Sequence, residues 1–374
     1  MFQSRPTRRA LAPLAVMVLA LGAAACGGDD DDEDAATGGG SGEGDAVTIA
    51  LLLPESSTAR YETQDRPLFE AKVEELCPDC EIIYSNADQD AAEQQSQAEA
   101  ALTNGADVLV LDPVDGASAG SMVAQAEAQD VPVLAYDRLI PDAPIDYYIS
   151  YDNERVGQLQ AEALTERLAE DGEDSGTIVM INGAPTDNNA TQFKEGAHSV
   201  IDESPYEVGA EYDTPDWSAD EAQSQMEQAI TRLGADGFVG VYAANDGTAG
   251  GAIAAMRSSG VDPIPPVTGQ DAELAGIQRI LAGDQYMTVY KAIKPQAEIS
   301  AEVAIALARG EDPPEDQVNQ QVDNGEAEIP SMILDPVAVT ADNVADTVVA
   351  DGFWTADQIC EGDFAAACEE AGIS

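Results

Sequence analysis

Asp137 and Arg138 follow directly on an apolar run, Val131 to Tyr136, so a carboxylate and a guanidinium stand side by side where a buried strand would end. In an open α/β sheet, ligands sit beyond the carboxyl ends of the strands. The pair can serve there, or it can be a salt bridge and nothing more. Comparable groups follow the other apolar runs. Arg60 and Tyr61 come after Leu53, Asp187, Asn188 and Asn189 after Asn182, Trp217 after Tyr212, Asn245 and Asp246 after Ala243, Gln270 and Asp271 after Val267, and Lys291 after Tyr290. Hydroxyls of a neutral polyol both donate and accept, so fixed Asp, Asn and Arg groups meet them, while C–H faces pack on Trp or Tyr. Singly, each residue has a plainer role. Trp217 can be a half-buried packing residue, Asn245 and Asp246 can cap a helix from Thr248, and Lys291 can be a surface charge. Their shared position at strand ends is what favours a common one.

The elements that must hold these groups alternate. Strands are predicted near Val47 to Leu53, Glu81 to Tyr84, Asp107 to Leu111 and Val131 to Tyr136, with helices near Gln64 to Leu76, Ala91 to Asn104 and Ser118 to Gln129 between them. That spacing describes βαβ units and a parallel sheet. After a strand at Tyr147 to Asp152 the alternation restarts, with strands at Thr177 to Asn182, Glu207 to Tyr212, Phe238 to Ala243, Val267 to Gly269 and Met287 to Tyr290 and helices between them. A helix over Pro295 to Arg309 and a last strand at Ser331 to Leu334 follow. The expected fold is α/β, with two similar doubly wound parallel-sheet lobes and a ligand cleft between them. The first lobe takes 47–152 plus about 294–322, and the second 153–293 plus about 323–352, with Ile149 to Asn153 as the first hinge.

Charge limits the partners. Lys and Arg number 16 against 71 Asp and Glu, a formal charge of −55. Affinity for phosphate backbones comes from cationic contacts, so nucleic acid is excluded as a partner, and an anionic lipid surface is repelled. The acid excess reads as a heavily hydrated exterior rather than a metal site, and no cofactor or metal is expected. The sole histidine, His198, falls inside a helix and reads as a surface or packing residue. Paired acids such as Asp137 and Asp271 can suggest a glycosidase, but Arg and Lys neighbours keep them ionised and leave no general acid, so no enzyme is expected.

The amino terminus reads as an address. A basic stretch ending at Arg9, an apolar run from Ala10 to Leu21 and small residues before Cys26 have the layout of an export signal over residues 1–25. Leu21 to Cys26 resembles a lipobox, with Cys26 as the lipidated residue, so the membrane is expected to be reached through a lipid anchor only. Residues 27–45 hold eight acids and no base, a composition that makes 26–46 a flexible tether. Four further cysteines suit two disulfides in an exported chain, Cys77 with Cys80 and Cys360 with Cys368, the second stapling a tail at 353–374. Cys77-Pro-Asp-Cys80 has redox spacing, yet it follows a helix instead of opening one, which favours a structural bridge.

The segments VLAYDRLI, DYYISYDNERVGQLQA, GAPTDNNATQF, AANDGTAGGAI, TGQDAELAGIQRILAG and MTVYKAI closely resemble the bacterial xylose-binding proteins and their relatives among type I periplasmic sugar-binding proteins. PESSTARY looks more like the multiple-sugar-binding branch. The similarity runs from about Val47 to Phe353. It implies a two-lobed binding protein with three crossings that delivers a monosaccharide, xylose or a related aldose, to an ABC permease, and that acts as a monomer. By matching motif, Arg60, Tyr61, Asp137 and Arg138 would touch the sugar from the first lobe. Asn188 or Asn189, Asn245, Asp271 and Lys291 would do so from the second, with Trp217 stacked on the ring. Tyr61 stands where the xylose-specific members have Trp. A sugar-sensing subunit that presents its ligand to a membrane receptor would carry the same site.

Overall fold

A computed structural model describes residues 47–373. The expected export signal, Cys26 and the tether lie outside the described residues. The chain opens as β1 (Thr48–Leu53), α1 (Arg66–Leu76), β2 (Glu81–Asn86), α2 (Ala91–Thr103), β3 (Val108–Leu111), α3 (Gly116–Glu127), β4 (Val133–Tyr136) and β5 (Tyr147–Tyr151). Alternate residues of β1 point to opposite cores. Ile49, Leu51 and Leu53 pack with α1, while Ala50 and Leu52 pack with α2 and α3. A strand buried on both faces reads as a continuous apolar run, which is why ALLL is so legible.

The second half runs α4 (Asn153–Glu170), β6 (Gly176–Asn182), α5 (Asn188–Ile201), β7 (Tyr206–Asp213), α6 (Ala219–Leu233), β8 (Gly240–Ala243), α7 (Asp246–Ser258), α8 (Leu274–Ala282) and β9 (Met287–Tyr290). Then α9 (Ile293–Ala308) returns to the first core, where Ala297, Ala301 and Ala304 are buried against β1 and β3. The chain closes with β10 (Gln320–Asp323), β11 (Glu328–Leu334), β12 (Val337–Thr340), α10 (Ala356–Ile359) and α11 (Ala365–Glu370).

The first sheet has the order β10-β11-β5-β4-β3-β1-β2, parallel except for the edge strand β10. The second pairs β7, β6 and β8 in parallel, with a separate antiparallel pair β9-β12. Three expectations change. The strand expected at Val267 to Gly269 survives as single parallel bridges, Val241 to Val267 and Gln270 to Val289, which link the two groups of the second half. Glu328–Leu334, assigned within the second lobe's share of 323–352, instead pairs in parallel with β5, so the last crossing falls between Leu334 and Val337. Ile149 to Tyr151 belongs to β5, so the first crossing is at Asp152, which caps α4.

The tail is packed. Phe353, Trp354, Ile359, Cys368 and Ile373 are buried with Ile277, Ile280 and Tyr290. Cys77 and Cys80, and Cys360 and Cys368, lie at disulfide distance with Cα separations of 5.3 and 5.8 Å. Among the described residues, no helix is long and apolar enough to cross a membrane.

Helices α4 and α5 touch backbone to backbone. A Cβ on Gly196 would lie 2.0 Å from the Glu154 carbonyl oxygen, and one on Gly157 would lie 1.9 Å from that of Phe193. Gly196→Ala must therefore push the helices apart, with an expected loss of about 1–3 kcal/mol. Thermal unfolding checks this against Gly120→Ala in α3, where the added carbon meets nothing nearer than 3.9 Å. Gly120→Ala is expected to be neutral or mildly stabilising.

Candidate functional site

The loops beyond the carboxyl ends of both sheets face one narrow cavity of about 20 Å³. Thr58, Arg60, Tyr61, Asp137 and Arg138 line it from the first lobe, and Asp187, Asn189, Phe193, Trp217, Asn245, Gln270, Asp271 and Lys291 from the second. None of these residues is more than 7% exposed.

Arg60 is the best-connected group. Its Nε and Nη2 donate to the two oxygens of Asp65 at 3.0 and 2.7 Å, and its Nη1 lies 2.9 Å from Asp137 Oδ2. Gln296, from α9, accepts from Arg60 at 3.2 Å and donates to Asp137 Oδ2 at 3.2 Å. Tyr136 donates to Asp65 at 2.5 Å. The guanidinium is thus held in a buried ring before any ligand arrives. Across the cleft, Arg60 Nη1 stands 3.8 Å from Asp271 Oδ1.

Arg138 reaches the other way. Its Nε is 3.0 Å from Asp187 Oδ2 on the opposite lobe, and its Nη groups donate to the Pro113 carbonyl at 3.1 Å and the Tyr61 hydroxyl at 3.3 Å. Asp187 also accepts from the Trp217 indole at 3.1 Å and caps α5 through the Asn189 amide at 2.8 Å. Asn189 Nδ2 bridges the lobes, donating to Asp137 Oδ1 at 3.0 Å. Lys291 lies 3.4 Å from Asp271 and 3.9 Å from Asp137, with its Nζ 5.8 Å from the Phe193 ring centroid.

Burial alone would push the Asp137 carboxyl up, but Arg60, Lys291, the hydrogen bond from Gln296 and Arg138 outweigh it and hold the group below the ordinary range. Burial does win at Asp187, which is raised despite Arg138, and at Asp112, 3.5 Å from Arg138 Nε. Asp137 and Asp271 sit at φ of +58° and +87°, and Trp217 at +54°. Such conformations cost non-glycine residues roughly 1–3 kcal/mol each and persist only where the surroundings impose them. Here a ladder bond from each Asp amide, to Ile149 and Val289, fixes the turn while the side chain swings into the cleft.

The lining carries Arg60, Arg138 and Lys291 against Asp137, Asp187 and Asp271, so its formal charges cancel. Asn189 Oδ1, Gln270 Oε1 and Asp271 Oδ1 are buried acceptors without a hydrogen-bond donor, and Arg138 Nε is a buried donor whose ion pair lacks hydrogen-bond alignment. A neutral molecule with several hydroxyls answers both needs at once. Trp217 and Phe193, edge to face at 6.4 Å, add apolar aromatic surface to the lining.

Of the residues expected from sequence, Arg60, Tyr61, Asp137, Arg138, Asn189, Trp217, Asn245, Asp271 and Lys291 meet at this cavity. Asn188 does not. It starts α5 one position before the inward-facing Asn189 and is absent from the lining, its Nδ2 buried without a hydrogen-bond partner. Phe193, Asp65 and Gln296 went unread because each looks like an ordinary helical residue. For Phe193, the usable signal was its place one helical turn beyond Asn189, on the same face.

The family profile described as a periplasmic binding protein domain matches residues 49–312. The D-xylose-binding periplasmic protein of Escherichia coli (strain K12) is 38% identical over 311 residues, 82% of this chain and 91% of that one. The multiple sugar-binding periplasmic receptor ChvE of Rhizobium radiobacter is 31% identical over 332 residues, 84% and 93%. The structure of an ABC transporter solute binding protein from Clostridium phytofermentans with bound beta-D-glucose aligns with a TM-score of 0.77 at 31% identity, covering 83% of this chain and 99% of that one.

Arg60→Met should leave Asp65 buried without its cation and Asp137 with only the more distant Lys291. Breaking such a pair from one side costs roughly 3–5 kcal/mol, so a marked fall in Tm is expected in the ligand-free protein. A second expectation concerns Asp246, which supports the Asp271 loop. Its Oδ2 accepts from the Glu273 amide at 2.9 Å and the Thr288 hydroxyl at 3.0 Å, and its Oδ1 from Gln285 at 2.6 Å. Burial pushes this carboxyl up to about 7, against Arg279 and the hydrogen bond from Gln285. A raised acid stabilises most when protonated. Its contribution is complete below the ordinary value of 3.8 and is lost as pH rises through about 7. The stability of the unaltered chain relative to Asp246→Asn should therefore fall between pH 5 and 7, by on the order of 1 kcal/mol per unit. Urea unfolding at each pH measures it, and parallel curves would refute the assignment.

Proposed function

The chain belongs to the periplasmic binding protein domain family, and from that premise we propose that it captures a monosaccharide between its lobes and hands it to an ABC-type importer. The observation that carries this is a charge-balanced, buried cavity in a chain of formal charge −55. An acidic protein that meant to bind a cation had carboxylates to spare. Instead, three of its few basic residues are placed here and cancelled by three acids. What remains for a ligand is hydrogen bonding and aromatic packing.

The site residues then divide by role. Arg60, Asp137 and Asp271 form a pre-oriented fork for adjacent hydroxyls, joined by Lys291. Asn189, Asn245 and Gln270 supply amide donors and acceptors, and Trp217 with Phe193 covers a ring face. Each hydrogen bond nets about 1 kcal/mol, so a micromolar affinity near −8 kcal/mol takes several, together with the aromatic contact. Because the groups come from both lobes, the sugar favours the closed arrangement by its differential affinity for it. Xylose is the first candidate, supported by the 38% identity to the Escherichia coli protein of that name, and glucose is the second, supported by the bound glucose of the Clostridium protein. The Cys26 motif and the acidic stretch after it support export and lipid anchoring.

Calorimetry against D-xylose, D-glucose, D-galactose, L-arabinose and D-ribose tests the reading. One of them is expected to bind with 1:1 stoichiometry and to raise Tm, by about 2.7 kcal/mol of added stability at a hundredfold excess over Kd. Trp217→Ala should weaken binding at least about tenfold, the share of a stacked ring and its lost neighbours. No heat and no Tm shift across the panel at millimolar sugar would overturn it.

A further inference from the structure

The family match ends at residue 312, yet the chain returns to the cleft after that point. The segment after β12 runs behind the site and touches the chain neighbours of its residues on both lobes. The Trp354 indole donates to the Ala272 carbonyl at 2.8 Å, directly beside Asp271. Phe353 packs edge to face on Tyr290 at 5.1 Å, next to Lys291, and the Tyr290 hydroxyl donates to Asp351 at 3.1 Å. On the first lobe, Gln64 Nε2 donates to the Phe353 carbonyl at 3.1 Å, from the turn between Tyr61 and Asp65.

The contact at Ala272 matters because of the backbone there. Asp271 and Ala272 are consecutive residues with positive φ, +87° and +48°. Neither is glycine, so both are held by their surroundings. Their amides are bonded to Val289 O and Thr288 Oγ1, and the next amide, that of Glu273, to Asp246. Trp354 supplies the hydrogen bond on the opposite side, to the carbonyl, and is itself buried, at 8% exposure. Behind it, Ile359 and Cys368 are buried on Ile277 and Ile280 of α8, and Cys360 is joined to Cys368. Gln278 of α8 also donates to the Ile359 carbonyl at 3.2 Å.

We propose that Trp354, carried on the disulfide-closed carboxyl-terminal segment, is a positioning residue of the cleft: it fixes the left-handed Asp271–Ala272 turn and so aims the Asp271 carboxylate between Arg60 and Lys291. Its effect on affinity rests on the monosaccharide reading above, whereas its effect on the turn does not.

Trp354→Phe keeps most of the packing and removes the N–H. In the ligand-free protein, hydrogen exchange at the amides of Asp271, Ala272 and Glu273 is expected to quicken at least about tenfold, while those of β3 stay as they were. With D-xylose as probe, Kd is expected to rise about three- to tenfold. That weakening should shrink when Asp271→Asn is already present, because Trp354 acts through Asp271. A merely structural tryptophan would weaken binding equally in both backgrounds. If Trp354→Phe does not fold, Cys360→Ser with Cys368→Ser is read at the same three amides. Faster exchange there supports the proposal, and unchanged protection in whichever variant folds overturns it, as does an equal loss of affinity in both backgrounds. If the unaltered chain binds no sugar, the functional reading falls and the exchange result still decides this one.

Discussion

Burying six ionised side chains around one small cavity constrains everything near it. A charge removed from water is tolerated only where a partner and hydrogen bonds replace the solvent. Arg60 meets this with two acids and an amide, and Arg138 with two acids, a carbonyl and a hydroxyl. The requirement reaches well behind the lining. Asp65, Asp112, Tyr136 and Gln296 touch no cavity space, yet without them the guanidinium groups would lack the partners that fix their planes. It also explains the strained turns. Asp137 and Asp271 face both a cation and the cleft from a left-handed backbone.

The fold supplies the convergence cheaply. The parallel strands of each sheet end on the same side, so their loops deliver residues to the same region. The acid-rich composition then serves twice. Asp115, Asp152 and Asp187 cap the helices that follow these loops, and Asp187 at once caps α5, holds the Trp217 indole and pairs with Arg138. Gly183 leaves room for that arrangement, since a Cβ there would lie 2.1 Å from the Trp217 ring.

Most of the βαβ order and nine of the cavity residues were legible, because buried parallel strands are continuous apolar runs and the residues after them stand out. What was hidden has physical reasons. Gln296 and Asp65 lie in helical stretches, where a polar residue normally faces water. The strand at Glu328–Leu334 begins polar and contains Pro330, and only its pairing with β5 assigns it to the first sheet. Gln320–Asp323 is an exposed edge with no apolar alternation to betray it. Asn188 and Asn189 were inseparable because a one-residue choice at a helix start depends on the cap, and Asp187 settles it by accepting from the Asn189 amide.

The charges are also divided unequally between the lobes. Arg60 keeps Asp65 and Asp137 on its own lobe, and Lys291 keeps Asp271 on the other. Among the ion pairs of the cavity, Asp187 has its cation only across the cleft, at Arg138. Parting the lobes would strand Asp187 in a buried place unless water entered to solvate it, so opening and hydration of this corner must occur together. On the monosaccharide reading, a neutral sugar would leave that balance untouched and donate to Asn189 Oδ1, Gln270 Oε1 and Asp271 Oδ1, buried acceptors without a hydrogen-bond partner. The ion pair thus joins the lobes in one register, and on that reading the hydroxyls of the ligand would supply the free energy that favours their meeting.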